Sequence, residues 1–407
     1  MEKLNSGVST GLILLMAVIS GFTVANIYLN QTLLVSMAHT FHTTAAETGM
    51  IATITQAGYA LGNLMLVPLG DMFERRRLIL NLLLLVCLCS ASSAIAVNFF
   101  WLVTAQLLLG FFTIIPQLIV PFAADLARET ERGKVIGNVA IGLVCGILGA
   151  RLFSGIIDSQ YGWRSVYWIT CAASVMIMVL IRLFLPKSKV ANTVHYRKLL
   201  ASLGPLLLQE KTLRKACLSQ GLMFGAFSLF WTTLVFLLND PPYTYGSQGA
   251  GMIGLVGIGG AFAAPVIGRI IDKRGHVFAN VLCMSLSLFA FILLFLGKIS
   301  LIAVIIGALF VTMGTQANQV VSQAMIFQLS GEMRSRLNGM LMVMVFLGGA
   351  LGSFLGVLTW SSFNWPGVCA LGILMTGIAF TSLLISDKPA QKIQCEERID
   401  HANVRQL

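Results

Sequence analysis

The stretch Gly70–Arg77 reads GDMFERRR, and a second stretch, Gly268–His276, reads GRIIDKRGH. Each is a short charged patch that follows one long apolar run and precedes another. Three pairs of equivalent residues share an offset of 201 or 202 positions: Asp71 with Asp272, Arg132 with Arg334, and Trp163 with Trp365. The chain therefore contains an internal repeat of one membrane unit, an arrangement that many transporters have.

The composition indicates a membrane protein. Of the 407 residues, 57% are apolar and only 11% are charged, whereas a soluble domain carries roughly 25% charged residues. A membrane span needs about 20 apolar residues, and backbone groups in lipid must be satisfied internally, so the spans are expected to be helices. We predict an all-α membrane protein of twelve transmembrane helices in two pseudo-symmetric six-helix bundles. The expected spans are 10–37, 47–69, 78–97, 100–125, 135–157, 164–185, 213–238, 249–271, 277–297, 301–329, 336–359 and 365–386.

The spans divide the chain into four regions. We expect an N-terminal bundle at 1–186, a cytoplasmic linker at 187–212, a C-terminal bundle at 213–387 and a cytoplasmic tail at 388–407. The linker is polar and basic, and an amphipathic surface helix is expected within it around Tyr196–Leu208. The first apolar run is too long for a cleavable signal.

The distribution of the basic residues that give the net charge of +11 indicates how the chain is oriented in the membrane. With twelve spans both termini share a side, and the loops on that side hold 24 of the 27 Lys and Arg residues. By the positive-inside rule both termini are cytoplasmic. We therefore expect a multi-pass protein of the cell inner (plasma) membrane, with lipid headgroups as partners of the basic loops and no nucleic acid.

The sequence predicts no enzyme. It contains no phosphate-binding loop, no metal-ligand cluster and no convincing pair of nucleophile and base. The eight cysteines lie mostly inside spans and form no C-x-x-C pair, so they are interpreted as small buried residues. We expect no cofactor and no metal, and a monomer.

The two charged patches resemble the loop signature of the major facilitator superfamily, G-x-x-x-D-R-x-G-R-R, and the likeness covers almost the whole chain. The second copy keeps Gly268, Asp272, Lys273 and Gly275, and the first keeps Asp71, Arg75 and Arg76. This resemblance implies two bundles that rock about a central site, with helices 2, 5, 8 and 11 between the halves and helices 1, 4, 7 and 10 lining the cavity. Glycines three or four apart mark the second, fifth, eighth and eleventh spans: Gly58, Gly62, Gly142, Gly146, Gly251, Gly254, Gly257, Gly260, Gly348, Gly352 and Gly356. They serve either static packing or sliding between the halves.

The resemblance also implies a conformational latch at the signature loops. Asp71 would face the start of helix 11 and stabilise one closed state through the helix dipole, and Arg75 and Asp125 would complete a charge network. The alternative is a solvated loop that only sets topology. The predicted latch residues are Asp71, Arg75, Arg76, Asp125, Gly268 and Asp272.

Two motifs of proton-driven drug exporters are absent. Their fourth helix carries an arginine four residues before a glycine, where this chain has Gln106 before Gly110. Their fifth helix centres on Gly-Pro, whereas the matching stretch Gly146–Gly155 has no proline. These departures weaken an assignment as a standard drug–proton antiporter.

Arg151 is the most informative membrane residue. It lies about 17 residues into the fifth span, roughly 7–8 Å outside mid-membrane at ~1.5 Å per residue. A charge at that depth is usually functional, and it could hold an anionic substrate group or gate the periplasmic side. The alternative is that a long arginine reaches the periplasmic headgroups.

Polar residues follow helix faces in several other spans. Thr312, Gln316, Gln319 and Gln323 are spaced four, three and four along the tenth span, which places them on one face. These faces either line a cavity or form hydrogen bonds between helices. The predicted substrate-binding residues are Asn26, Asn30, Gln106, Gln117, Arg151, Trp231, Gln316, Gln319 and Gln323.

The sequence thus predicts a secondary transporter that moves a small organic solute across the inner membrane by alternating access. Export coupled to the proton gradient is preferred, resting on the resemblance to bacterial efflux members. No acidic residue or histidine lies in the middle of a span, so a proton would titrate an end residue such as Asp125 or Asp71. The alternatives are an uptake symporter or facilitator, and a non-transporting membrane receptor or scaffold on the same fold.

Overall fold

The structure is a computed structural model that describes residues 9–128, 131–188, 196–329 and 334–384. Regular secondary structure in these ranges is helical throughout. The tail at 388–407, residues 189–195 of the linker and the side chain of Asp71 lie outside the described part. The α-helices are α1 (Thr10–Ala25), α2 (Asn30–Phe41), α3 (Ala45–Leu66), α4 (Arg75–Ala94), α5 (Phe99–Phe112), α6 (Ile115–Leu126), α7 (Arg132–Tyr161), α8 (Trp163–Phe184), α9 (Tyr196–Gln209), α10 (Lys211–Asn239), α11 (Gly246–Gly254), α12 (Ile258–Leu294), α13 (Leu301–Phe327) and α14 (Arg334–Leu384).

Two of the expected spans are each built from two helices. The first span is α1 followed by α2, with a turn at residues 26–29 between them. The fourth is α5 followed by α6, and Pro116 occupies the first turn of α6. Proline has no backbone N–H and its ring clashes with the carbonyl group four residues earlier, which here belongs to Phe112, so the break after Phe112 follows from the sequence.

Two long helices each hold parts of two expected spans. At 37 and 51 residues, α12 and α14 would extend about 55 Å and 75 Å at ~1.5 Å per residue, well beyond a hydrocarbon core of about 30 Å. Each is divided by one residue with positive φ: Gly275 at 80° and Asn364 at 54°. Glycine and asparagine tolerate this backbone geometry best. The chain turns there from the eighth span to the ninth and from the eleventh to the twelfth.

The expected spans agree with the observed helices. Ten helical stretches of the described residues are long and apolar enough to cross a membrane, and α12 and α14 account for the difference from twelve. The linker contains a helix where one was expected, α9. Several span starts carry capping residues, such as the reciprocal Thr44 and Glu47 pair that begins α3.

The duplication is visible in how each half packs. In the N-terminal half, a Cβ atom on Gly146 of α7 would lie 2.0 Å from the carbonyl oxygen of Gly21 on α1. In the C-terminal half, a Cβ atom on Gly352 of α14 would lie 2.0 Å from the carbonyl oxygen of Gly225 on α10. The fifth and eleventh spans therefore make the same close contact with the first and seventh.

The two interpretations of the glycine stripes hold at different positions. Gly251, Gly254 and Gly257 lie against Arg151 and Leu148 of α7 in the other half. Gly142, Gly146, Gly348 and Gly352 pack within a half and not between the halves. Gly58 and Gly62 of α3 likewise contact α5, in their own half. The reason is steric, because a stripe of small residues lets two backbones approach wherever they cross. Contact between halves occurs where α3 meets α14 and where α7 meets α11.

Candidate functional site

A cavity of about 360 Å³ lies between the two halves. Its walls come from both, and the described lining contains no charged side chain. The lining includes Tyr28 of α1–α2, Tyr59 of α3, Gln117 of α6, Ile147 of α7, Phe224 and Phe227 of α10, Gln316, Gln319 and Gln323 of α13, and Asn338 and Phe346 of α14. The cavity is therefore neutral, with amides set among aromatic rings.

The cavity lies toward one end of the bundle. On α7 it contacts residues 136–147, which follow the start of that helix, and on α13 it contacts residues 315–323, which approach its end. Those helix ends carry Arg132 and precede Arg334, and both belong to the loops rich in cations. We call this end the basic side and the other the opposite side.

Four of the predicted binding residues line the cavity. Gln117, Gln316, Gln319 and Gln323 all contribute to its wall. Gln117 Nε2 lies 3.4 Å from the Tyr59 hydroxyl, and Gln323 Nε2 donates to Asn338 Oδ1 over 3.3 Å. Within the described residues, the amides of Gln316 and Gln319 make no hydrogen bond, so they are available to a solute.

Three other predicted residues lie elsewhere. Asn30 Nδ2 donates to Thr55 Oγ1 (2.8 Å) and to Gln106 Oε1 (3.2 Å), and Gln106 Nε2 donates to Ser93 (3.1 Å). Asn30 and Gln106 are fully buried in this cluster between helices and do not line the cavity. Asn26 lines a separate apolar pocket between α1, α7 and α8.

Arg151 and Trp231 meet just beyond the closed end of the cavity. The Arg151 guanidinium carbon lies 4.1 Å from the centroid of the Trp231 ring, 5.0 Å from Tyr28 and 5.5 Å from Phe227. Its Nε donates to Gln31 Oε1 over 3.1 Å, and only 1% of Arg151 is exposed. The side chain is held among rings from both halves, which does not match an arginine that reaches the headgroups.

The opposite side is closed by direct contact between α7 and α11. A Cβ atom on Gly155 would lie 2.5 Å from the carbonyl oxygen of Ser247, and one on Gly251 would lie 2.6 Å from that of Arg151. One turn further along α7, Asp158 is buried, and Ser36 donates a 2.6 Å hydrogen bond to its Oδ2. The sequence placed Asp158 at a span end and gave no sign that two other helices would cover it.

One polar contact between the halves is not among the sequence-based expectations. Gln56 of α3 is fully buried; its Nε2 donates to Ser353 Oγ of α14, and its Oε1 accepts from Ser228 Oγ of α10, both at 3.0 Å. The sequence signal for this contact is that Gln56 is an amide within a span expected to face the other half. Gln56 joins the two halves in this conformation.

The basic side contains the predicted latch residues. Arg75 Nη1 pairs with Asp125 Oδ2 at 2.6 Å, and both line a pocket with Arg336 of α14 that shares Gln117 with the cavity. Arg76 donates to the carbonyl oxygen of Arg182. In the other half, Gly268 has open space around it and Asp272 is exposed.

The duplicated helices and the cavity between them agree with the comparison to known families. A family model described as Major Facilitator Superfamily matches residues 13–321 and again 217–405. The chain belongs to the major facilitator superfamily. As a member of this superfamily it is a multi-pass membrane transporter with the twelve-helix fold.

Relatives of this superfamily member extend over nearly its whole length. The uncharacterized transporter YgaY of Escherichia coli O157:H7 is 36% identical over 385 residues, which is 95% of this chain and 97% of the relative. The "Probable transporter SCO4007" of Streptomyces coelicolor is 29% identical, covering 95% and 90%. The crystal structure of the nucleoside transporter NupG superposes with a TM-score of 0.72 at 14% identity, covering 92% and 98%. At that identity the likeness supports the fold alone.

Proposed function

We propose that this transporter moves a small organic solute across the cell inner membrane by alternating access, with both termini cytoplasmic. The observation that carries the proposal is the cavity of about 360 Å³ between the halves, where the amides of Gln316 and Gln319 have no hydrogen-bond partner among the described residues. That volume lies within the usual range for small-molecule sites of roughly 300–1,000 Å³. The cavity lies toward the basic side, and the α7–α11 contact closes the opposite side.

The conformational change follows from which contacts lie between the halves. Reaching an outward-facing state requires α7 and α11 to separate, which exposes Gly155 and Asp158. It also requires approach on the basic side, where Arg336 of α14 faces the Arg75–Asp125 pair across a pocket. The predicted latch would act at this pocket, with Asp71 shortly before α4, Arg76 in the first turn of α4, and Gly268 and Asp272 on α12.

We further propose export, coupled to protons. The direction is supported by the resemblance of the sequence to bacterial efflux members. Two carboxyl groups lie where the conformational change would alter their surroundings: Asp125, in the pair at the basic side, and Asp158, buried at the opposite side. Each lies where the halves part or meet.

The test is flux in proteoliposomes against a panel of radiolabelled organic solutes. A saturable flux of at least one solute is expected, and Gln319→Trp should abolish it because an indole fills part of the cavity. Gln248→Trp is the matched control, since Gln248 is exposed on α11 outside the cavity. Absence of saturable flux would instead favour a receptor or scaffold, and equal saturable flux in both variants would exclude this cavity as the transport site.

Coupling and direction are tested in the same vesicles. An imposed pH gradient should drive solute against its concentration gradient in the wild type. Asp125→Asn or Asp158→Asn should remove this drive, whereas Asp240→Asn, at an exposed loop carboxylate, should not. If Asp125→Asn and Asp158→Asn both keep the proton-driven flux, these carboxylates are not the coupling groups.

A further inference from the structure

A group of hydrogen-bond donors without acceptors lies beyond the closed end of the cavity. Three buried nitrogens there have no hydrogen-bond partner within the described residues: Arg151 Nη2, Trp231 Nε1 and Gln31 Nε2. Their side chains are 1%, 3% and 1% exposed. Buried polar groups are almost always hydrogen-bonded, so three unpaired donors in one cluster require an explanation.

The orientation of Gln31 follows from Arg151. An arginine can only donate, and Arg151 Nε lies 3.1 Å from the Gln31 side chain, so the amide must present its oxygen there. Gln31 Nε2 is then a donor that has no acceptor within the described residues. The cluster therefore presents only N–H groups, together with a positive charge.

The guanidinium also lacks a counter-charge. No ion pair to Arg151 occurs within the described residues, and the carboxylate of Asp158, two turns along α7, accepts from Ser36 of α2. The rings of Tyr28, Phe227 and Trp231 stabilise the cation through their faces. The guanidinium makes no hydrogen bond to these three side chains within the described residues, and an unpaired buried charge is costly.

The cavity gives access to this cluster. Tyr28 and Phe227 both contact the guanidinium and line the cavity, and Ile147, one turn before Arg151 on α7, lines it as well. Rotation of either ring would connect the donors with the cavity. The remaining lining is neutral, so the cluster is the positive end of an otherwise uncharged site.

We propose that this cluster binds a carboxylate group of the transported solute, an inference that rests on the function proposed above. Arg151, Gln31 and Trp231 would donate to the carboxylate oxygens, and the amides and rings of the cavity would hold the uncharged remainder. The solute class is therefore an organic monocarboxylate with an apolar or aromatic body. Such a group satisfies every unpaired donor and neutralises the one buried cation nearby.

The test is binding to the purified full-length protein in detergent. Each probe carboxylate is compared with its own carboxamide: benzoate with benzamide, and hexanoate with hexanamide. Dissociation constants are measured by calorimetry and the melting temperature by thermal shift. At least one carboxylate should bind the wild type between about tenfold and a hundredfold more tightly than its amide, as loss of a charge-assisted hydrogen bond predicts.

Two variants and one control separate binding from packing. Arg151→Gln should abolish the preference for carboxylate over amide. Gln31→Glu places a carboxylate beside Arg151, so it should raise the melting temperature of the free protein and remove carboxylate binding. Arg164→Gln is the control, because Arg164 also lies against rings of its own half, Phe41 and Trp163, but away from the cavity.

Each outcome decides the proposal. The proposal is overturned if no carboxylate binds, if amides bind equally well, or if the preference for carboxylate survives in Gln31→Glu. In those cases Arg151 only closes the opposite side. The Gln31→Glu variant decides the test if Arg151→Gln fails to fold. Saturable flux of a neutral solute that Gln319→Trp blocks would leave the transport function standing without the carboxylate site. Carboxylate binding without flux of any solute would support the carboxylate site and contradict the transport function.

Discussion

The contact between α7 and α11 should decide which side of the transporter is open. Gly155 is the place to perturb it, because a Cβ atom there would lie 2.5 Å from the carbonyl oxygen of Ser247 and 3.2 Å from the Cα atom of Gly251. Carbon and oxygen atoms in contact lie at about 3.3–3.6 Å. Gly155→Ala therefore requires the two helices to separate by roughly 1 Å, and Gly155→Leu requires more.

The cost falls on the present conformation alone, since the contact is absent once the halves part on the opposite side. Overpacking a close contact typically costs about 1–3 kcal/mol. At about 1.4 kcal/mol for each factor of ten, the ratio of the present state to the outward-open state should fall by about 5- to 150-fold. Gly155→Leu should lie at the upper end of this range.

The populations can be measured as distances between two spin labels. Ser159 of α7 and Gln248 of α11 are exposed on either side of the contact, so cysteines at these positions can be labelled once the eight native cysteines are replaced. Pulsed electron–electron double resonance should show a second, longer distance between the labels. The population at this distance should grow from wild type to Gly155→Ala to Gly155→Leu.

Gly149→Leu on the same helix is the matched control, because a Cβ atom at Gly149 would meet nothing within 4 Å. Its distance distribution should equal that of the wild type. The steric reasoning is refuted if Gly155→Leu folds, with an unchanged melting temperature, and shows the same distribution as Gly149→Leu.

Two further predictions concern contacts within and between the halves. Gln56→Leu removes two buried hydrogen bonds between the halves, each worth about 1 kcal/mol. It should therefore increase the outward-open population in the same distance measurement. An unchanged population would exclude a role for Gln56 in the equilibrium between the two conformations. Gly142→Leu places a side chain 2.2 Å from the carbonyl oxygen of Ala17 within one half, so it should lower the melting temperature and the yield of folded protein. Gly137→Leu on the same helix, with open space around it, should do neither, and equal effects would contradict the packing argument.

The fold could be predicted because membrane burial leaves few options. Apolar length, the distribution of cations and the repeat offset each point to the same duplicated bundle, and lipid excludes structures with unpaired backbone groups. The breaks at Pro116, Gly275 and Asn364 follow from residues with distinctive backbone preferences. The helix bounds accordingly agree with the expected spans.

The site was less predictable because it depends on helix rotation. Gln106 and Gln319 are the same residue type, and each lies in a span expected to line the cavity, yet one joins a cluster within its half and the other lines the cavity. Each residue turns a helix by about 100°, so a small uncertainty in orientation exchanges these two environments. The sequence therefore identified Gln316, Gln319 and Gln323 as one face without fixing what that face contacts.

Charges in the spans illustrate the same limit. Arg151 stood out as a cation inside a span, but its partners Gln31 and Trp231 come from other helices and could not be read from spacing. Asp158 was assigned to a span end by its position along the chain, whereas its burial arises because α2 and α11 cross over it. Tertiary contacts of this kind leave no periodic signal.

The central claim is that one cavity is exposed alternately to the two sides of the membrane. A single cysteine in place of Gln319, tested with a membrane-impermeant maleimide in right-side-out and inside-out vesicles, examines it most directly. The protein should be labelled from the basic side in an otherwise wild-type background and should gain labelling from the opposite side when Gly155→Leu is added. Labelling that is equal from both sides in the first background, or unchanged by the second substitution, would contradict alternating access.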